Sequence, residues 1–344
     1  MLFIVDAGLQ PDSELAAPRP FSPIEVNMQL VPTHRPTTAA TGMRAAASCC
    51  PLCGAEAVRR FDADAFDAAP GSKVSISECM NCTLAWQFPF GRSTEESASY
   101  FADAYQDGGS SRSDYFEVEH RRKVAAIEID FLDTLSARGK TLLDLGAGSG
   151  TFAQAAAERG WRVTAIDPAI SPERLAHAHV RAIRGSLEQL PAADTFDVIT
   201  MWDVVEHLEH PDQVLHDAVQ HLRPGGWLIL ETGNYKSADR ILGGRGHWIY
   251  QLDHRWYFSP DSLQTLLERL GLGNFKFAQR VLRPHWQGAS GYQGPTLQQL
   301  LKSILKTPSK TRQAWDTHRR LQDARHWPQA GLPIFCVAAQ RPAP

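Results

Sequence analysis

The 344 residues carry 35 Lys and Arg against 38 Asp and Glu, a net charge of −3, with 43% hydrophobic residues. Such a chain buries a globular core, does not have the charge of a dedicated nucleic-acid binder, and holds no apolar run near the ~18 residues that a bilayer span needs. Leu2 to Val5 is a short apolar run without a basic flank, so no signal peptide is expected.

In chain order, residues 1–46 are proline-rich and lack periodicity, which reads as a disordered leader, with Met28 or Met43 as alternative starts. Residues 47–90 form a cysteine-bearing module. Residues 91–137 are a linker and helical bridge, with Tyr100, Phe101, Tyr105, Tyr115 and Phe116 ahead of a helix over about 115–137. From 138 to 344 strands and helices alternate, the pattern of a parallel sheet covered on both faces. Strands are predicted at 142–145, 161–166, 180–184, 196–202, 227–232, 275–281 and 333–341. Helices are predicted from Thr151, over 211–221 and over 260–270, the last with Pro260 in its first turn.

Cys50-Pro51-Leu52-Cys53 and Cys79-Met80-Asn81-Cys82 are paired knuckles, each placing two thiolates on one tight turn. Together they complete a tetrahedral zinc shell. The 25 residues between the pairs cost ~3 kcal/mol to close, against ~10–16 kcal/mol from structural zinc. Four thiolates leave no open position on the metal, so the site is structural or serves recognition. Cysteines paired in this way belong to a reducing compartment, and the expected location is cytoplasmic.

Leu142-Leu143-Asp144-Leu145 leads into Gly146-Ala147-Gly148-Ser149-Gly150, a strand ending in a glycine turn before a helix. Glycines at alternate positions let backbone approach a ligand closely, and the helix behind them offers free N–H groups. The G-x-G-x-G spacing is too short for the pyrophosphate grip of dinucleotide enzymes, and Asp144 suits an ammonium-bearing ligand. Asp167 follows 21 positions after Gly146, where a carboxylate can take both ribose hydroxyls. This pattern resembles the class I S-adenosylmethionine (SAM) methyltransferases. The resemblance implies a Rossmann-like seven-stranded α/β sheet with helices on both faces, the last strand antiparallel and inserted beside the sixth. It also implies SAM contacts at Asp144, Gly146, Gly148, Gly150, Asp167, Ser186, Leu187, Met201 and Trp202. Ser186 stands where the family usually has an acid near the adenine. The cysteine pairs, Leu84 and the Tyr100–Tyr105 bridge are similar to the start of many bacterial methyltransferases that act on sugars or other small metabolites.

After the fourth strand, Asp203, Glu206 and His207 share what reads as a helical turn, and His254 lies beyond the fifth strand. An acid-x-x-Glu-His turn with a later histidine resembles the divalent-metal site of small-RNA 2′-O-methyltransferases and of quinone-synthesis O-methyltransferases. Two carboxylates and two imidazoles suit magnesium or another divalent ion. His207 or His254 acting as a metal-free base, and a purely structural cluster, stay open beside it. No Asn/Asp-Pro-Pro-aromatic motif follows the fourth strand, which argues against exocyclic amino methylation.

Residues 283–331 hold eight basic residues against two acidic ones, with Leu297, Leu300, Leu301, Ile304 and Leu305 at helical spacing. A packed helical insertion is one reading; a lid or surface for an anionic acceptor or a membrane face is the other. The chain therefore reads as an enzyme transferring methyl from SAM to a small-molecule hydroxyl. C-methylation of a nucleotide sugar, RNA methylation and a non-catalytic scaffold are the rivals. No stable nucleic-acid partner and no transmembrane segment are expected, and sequence leaves the oligomeric state open.

Overall fold

The computed structural model describes residues 2–3, 43–45, 48–93, 95–97, 99–100, 118–173, 175, 179–280 and 333–343. Most of the leader, much of the tyrosine-rich bridge and the whole 283–331 insertion lie outside the described residues.

The strands are β1 (Leu2–Phe3), β2 (Val58–Asp64), β3 (Lys73–Cys79), β4 (Ala85–Gln87), β5 (Thr141–Leu145), β6 (Arg162–Asp167), β7 (Val180–Arg184), β8 (Phe196–Trp202), β9 (Leu222–Gly233), β10 (Trp256–Tyr257), β11 (Gly273–Arg280) and β12 (Ile334–Gln340). The helices are α1 (Val118–Asp133), α2 (Thr151–Glu158), α3 (Pro211–Gln220), α4 (Ala238–Gly243) and α5 (Pro260–Arg269). The large sheet runs β1-β11-β12-β9-β8-β5-β6-β7. From β9 to β7 it is parallel, and β12 is antiparallel between β9 and β11. This is the sheet the sequence implied, extended by one edge strand: Leu2–Phe3 pairs with Arg280–Gln279.

Burial explains the order. All seven residues of β8 are buried, as befits a central parallel strand covered on both faces. Alternation then divides the layers. Leu142, Val198 and Ile229 join Phe152, Ala156, Leu132 and Trp202 on the α1–α2 face. Leu143, Ile199, Leu228 and Leu230 face the other way, toward Leu215, Phe258 and Leu263. Strand β9 begins earlier than the sequence implied, at Leu222, because Leu222 pairs with Phe196 before the register shifts across Pro224-Gly225-Gly226.

The cysteine module differs from a separate bead on the chain. Strands β2, β3 and β4 make an antiparallel sheet whose fourth strand is β10, contributed from beyond β9. Cys50, Leu52, Cys79, Leu84 and Trp86 lie in the same apolar cluster as Leu143, Ile199 and Leu230. Two described parts of 1–46 are likewise built in: Leu2–Phe3 as β1, and Met43, which is 3% exposed and donates its N–H to Asp212 Oδ2 at 2.7 Å. Among the described residues no helix is long and apolar enough to cross a membrane.

Because one apolar cluster joins the two sheets through Trp86, Trp86→Ala should cost about 3–5 kcal/mol. Urea melts followed by tryptophan fluorescence and by far-ultraviolet circular dichroism should coincide. Two separated transitions would mean independent cores.

Candidate active site

The carboxyl ends of β5, β6 and β8 meet at the glycine turn. Gly146, Gly148 and Gly150 have φ of +76°, +52° and +78°, the left-handed region that favours glycine. A Cβ at Gly146 would collide with Val204, and one at Gly150 with Leu175. Gly146 and Ala147 both donate to Ile166 O, at 2.8 and 3.1 Å. Asp167 ends β6 and accepts from Gly148 N at 2.9 Å and Ala169 N at 2.6 Å. Burial pushes its carboxyl above the usual range despite these two bonds. Helix α2 starts behind Gly150 with no side-chain cap, leaving first-turn N–H groups for a ligand.

Asp144 is 1% exposed, and its Oδ1 accepts from Thr200 Oγ1 at 2.8 Å. Its Oδ2 has no hydrogen-bond partner, and burial pushes the carboxyl up to about 7. An orphaned buried oxygen two residues before Gly146 fits a ligand ammonium, the group for which the sequence singled it out. Ser186 caps the short turn at Leu187–Gln189, accepting from Glu188 N and donating to Gln189. Ser186 is exposed and Leu187 half-buried. Met201 and Trp202 are both buried, in opposite apolar layers. The Trp202 ring packs 5.0 Å from Phe152.

The segment after β8 is not the helical turn expected from sequence. Asp203 has φ of +53°, a region that short acidic side chains tolerate, and its N–H continues the strand ladder to Glu231 O at 3.1 Å. The chain then folds through a turn closed by His207 N to Val204 O at 2.9 Å. Glu206, His207 and His254 converge, each offering one ligand atom within 4.8 Å of the others, while Asp203 is not in that group. The two imidazole rings lie edge to face at 4.8 Å.

Each imidazole is oriented by a main-chain carbonyl. His207 Nδ1 lies 3.0 Å from Asp253 O, and His254 Nδ1 lies 2.8 Å from Ile249 O. A carbonyl only accepts, so Nδ1 carries the proton in both neutral rings and Nε2 is the electron-pair donor. Burial pushes His254 down to about 4, with His207 adding to the effect, so this ring is neutral near pH 7. Burial raises Glu206 well above the usual carboxylate range, and the Asp203 charge acts in the same direction. Its Oε2 has no hydrogen-bond partner. One carboxylate and two imidazoles held through Nδ1 form a donor set that fits a divalent ion.

Sequence reasoning passed over Asp253, a neighbour of His254 that is 2% exposed and has Oδ2 3.7 Å from His207 Nδ1. An acid beside a candidate histidine was the available signal.

The four cysteine sulfurs lie within 4.8 Å of one another, with Cys50–Cys82 and Cys53–Cys79 contacts of 3.5 Å. Cys79 Sγ accepts from Asn81 N and Cys82 N, both at 3.4 Å. The hydrogen bond from Cys82 lowers Cys50 to about 5 and raises Cys82, so the thiols share protons where a cation would hold four thiolates. Cys336 stands apart, donating to Glu231 in the large sheet.

Residues 118–276 match the family model described as a methyltransferase domain. A ubiquinone biosynthesis O-methyltransferase from Chromobacterium violaceum is 27% identical over 176 residues, 46% of this chain and 75% of that protein. One from Rickettsia canadensis is 33% identical over 149 residues, 38% of this chain and 61% of that protein. Among solved structures, a SAM-dependent methyltransferase from Thermotoga maritima aligns with 70% of this chain and 97% of its own, at 18% identity and a TM-score of 0.45.

The upward shift of Asp144 has a pH signature. An acid whose pKa is higher in the folded than in the unfolded state loses stability as pH rises from its unfolded value, 3.8, to its folded value, about 7. Asp144→Asn removes that loss. Between pH 5 and pH 8 the stability difference should move in the variant's favour by on the order of 3 kcal/mol, at about 1.4 kcal/mol per unit. Urea unfolding at the two pH values measures it.

Proposed function

We propose, for a chain that belongs to the class I SAM-dependent methyltransferases, that the methyl acceptor is a hydroxyl of a small molecule and that Glu206, His207 and His254 handle its proton. SAM, when bound, supplies a sulfonium methyl open to in-line attack. The chain's part is to hold cofactor and acceptor in line and to take up a proton.

The glycine turn, with Asp167 beneath it and the orphaned Asp144 oxygen behind it, suits the cofactor. Val204, against Gly146, belongs to the same turn as Glu206 and His207, so the histidine pair adjoins the cofactor turn. The single observation that carries the reading is the convergence of Glu206, His207 and His254 within 4.8 Å at that place. His207, as the Nδ1–H tautomer, has its electron pair on Nε2, the atom that would accept the hydroxyl proton. The same three residues would hold a divalent ion, which would polarise the acceptor hydroxyl. The relatives named for O-methylation in ubiquinone biosynthesis support a hydroxyl acceptor in preference to carbon or nitrogen. In this reading zinc at Cys50, Cys53, Cys79 and Cys82 is structural.

Methyl transfer from labelled SAM to a panel of phenolic, catecholic and sugar hydroxyl compounds tests the reading. Against the acceptor found, His207→Ala should lose ~10²–10⁴-fold in turnover while SAM affinity changes less than about twofold. Full turnover in both His207→Ala and His254→Ala would end the proton-handling role. By calorimetry, Asp167→Ala should bind SAM at least about tenfold more weakly. Elemental analysis should find one zinc per chain, unchanged in a Cys336 variant; a folded, zinc-free protein with reduced thiols would refute the zinc reading.

A further inference from the structure

The loop between α4 and β10 is held by the N-terminal module at several points. Gln87, fully buried, donates through Nε2 to Gln251 O at 2.5 Å, and its main-chain N–H donates to Arg255 O at 2.9 Å. Asp67 Oδ1 accepts from Leu252 N at 2.8 Å. The other Asp67 oxygen lies 3.0 Å from Arg92 Nη1, and the same guanidinium nitrogen is 3.9 Å from Asp253 Oδ2. The Arg92 guanidinium also sits over the Tyr100 ring at 4.4 Å. Asp253 in turn meets His207 Nδ1 through its carbonyl at 3.0 Å and its carboxylate at 3.7 Å.

The chain Asp67–Arg92–Asp253–His207 thus runs from the cysteine module to the candidate base. We infer that Arg92 is a positioning residue. By anchoring the Asp253 carboxylate it holds the Asp253 carbonyl against His207 and so fixes the ring as its Nδ1–H tautomer. Placement explains why the guanidinium is shared. Asp67 ties it to the module and Asp253 ties it to the loop, so one cation between two carboxylates sets the spacing of two segments far apart in sequence. With Asp253 only 2% exposed, its charge needs such a partner. A ring that can flip or exchange tautomers presents Nε2 as an acceptor for only part of the time.

The inference rests on the reading of His207 as the proton acceptor, but its test does not use turnover. A failed acceptor screen and a failed clamp are therefore read separately. The probe is the full chain labelled with ¹⁵N-histidine, with His207 assigned from a His207→Gln sample. In the wild type at pH 8 the two ring nitrogens should give well-separated shifts, with Nδ1 as the protonated one. In Arg92→Ala the two shifts should move toward each other, reflecting about a fivefold loss of tautomer preference, the factor that one hydrogen bond's net worth implies. SAM affinity within about twofold of wild type is the control for folding. Arg92→Lys, which keeps a cation beside Asp253, should return the shifts part of the way. Asp253→Asn, which keeps the carbonyl but removes the anchored charge, should repeat the Arg92→Ala pattern and serves if Arg92→Ala does not fold. Unchanged His207 shifts in a SAM-binding Arg92→Ala or Asp253→Asn protein would overturn the assignment. So would failure of Arg92→Lys to recover any of the change, because Arg92 would then act by packing alone.

Discussion

One carbonyl ties the surroundings of the histidine pair together. Glu206 O accepts from both Arg255 N at 2.8 Å and Trp256 N at 3.2 Å, and these donors belong to the segment that becomes β10. The bifurcated contact fastens the turn after β8 to a loop almost 50 residues later. His207 rides on the first segment and His254 on the second, so their rings meet at 4.8 Å as a consequence. Arg255 Nη1 donates to His207 O at 2.9 Å and Trp256 Nε1 to Leu208 O at 2.7 Å, closing the same seam from the side chains. Since β10 is also the fourth strand of the cysteine module's sheet, the seam sits where three parts of the chain join.

The glycine turn is built differently. Its groups are mostly backbone: three glycines in left-handed conformations, held by Ile166 O, the Asp167 carboxylate and Ala147 O. The histidine-pair region is made of side chains, some of them acids with little access to water. Glu206 and Glu231 are both within 3% of full burial, as is Asp144 behind the glycine turn. Burial raises the proton affinity of Glu206 and Asp144 and suits both to cationic or proton-donating groups. Far from the ligand end such burial would only cost stability.

Much of this was legible in the sequence because it is local. Periodicity and glycine spacing reveal β5, the turn and α2, and the large sheet follows from strand–helix alternation. The cysteine pairs announce themselves by spacing. What sequence could not give is long-range. Asp203 looked helical because Asp203, Glu206 and His207 have helical spacing, yet its N–H is taken by Glu231 O, which extends the strand and forces a left-handed residue. Trp256–Tyr257 is too short a strand to be seen without its partner Ala85–Trp86. Asp253 also meets Arg92, itself beside Asp67, and no periodicity encodes that nearness.

The shared small sheet also changes what counts as an exchangeable part. A chimera that swapped residues 48–92 for those of a relative would keep the host's 249–258 loop, and with it mismatched partners for Gln87, Asp67 and Arg92. The transferable unit is discontinuous: the cysteine-bearing segment and the loop that donates β10 have to travel together. Cutting between the two sheets by sequence position alone would divide one wall of the site between two parents.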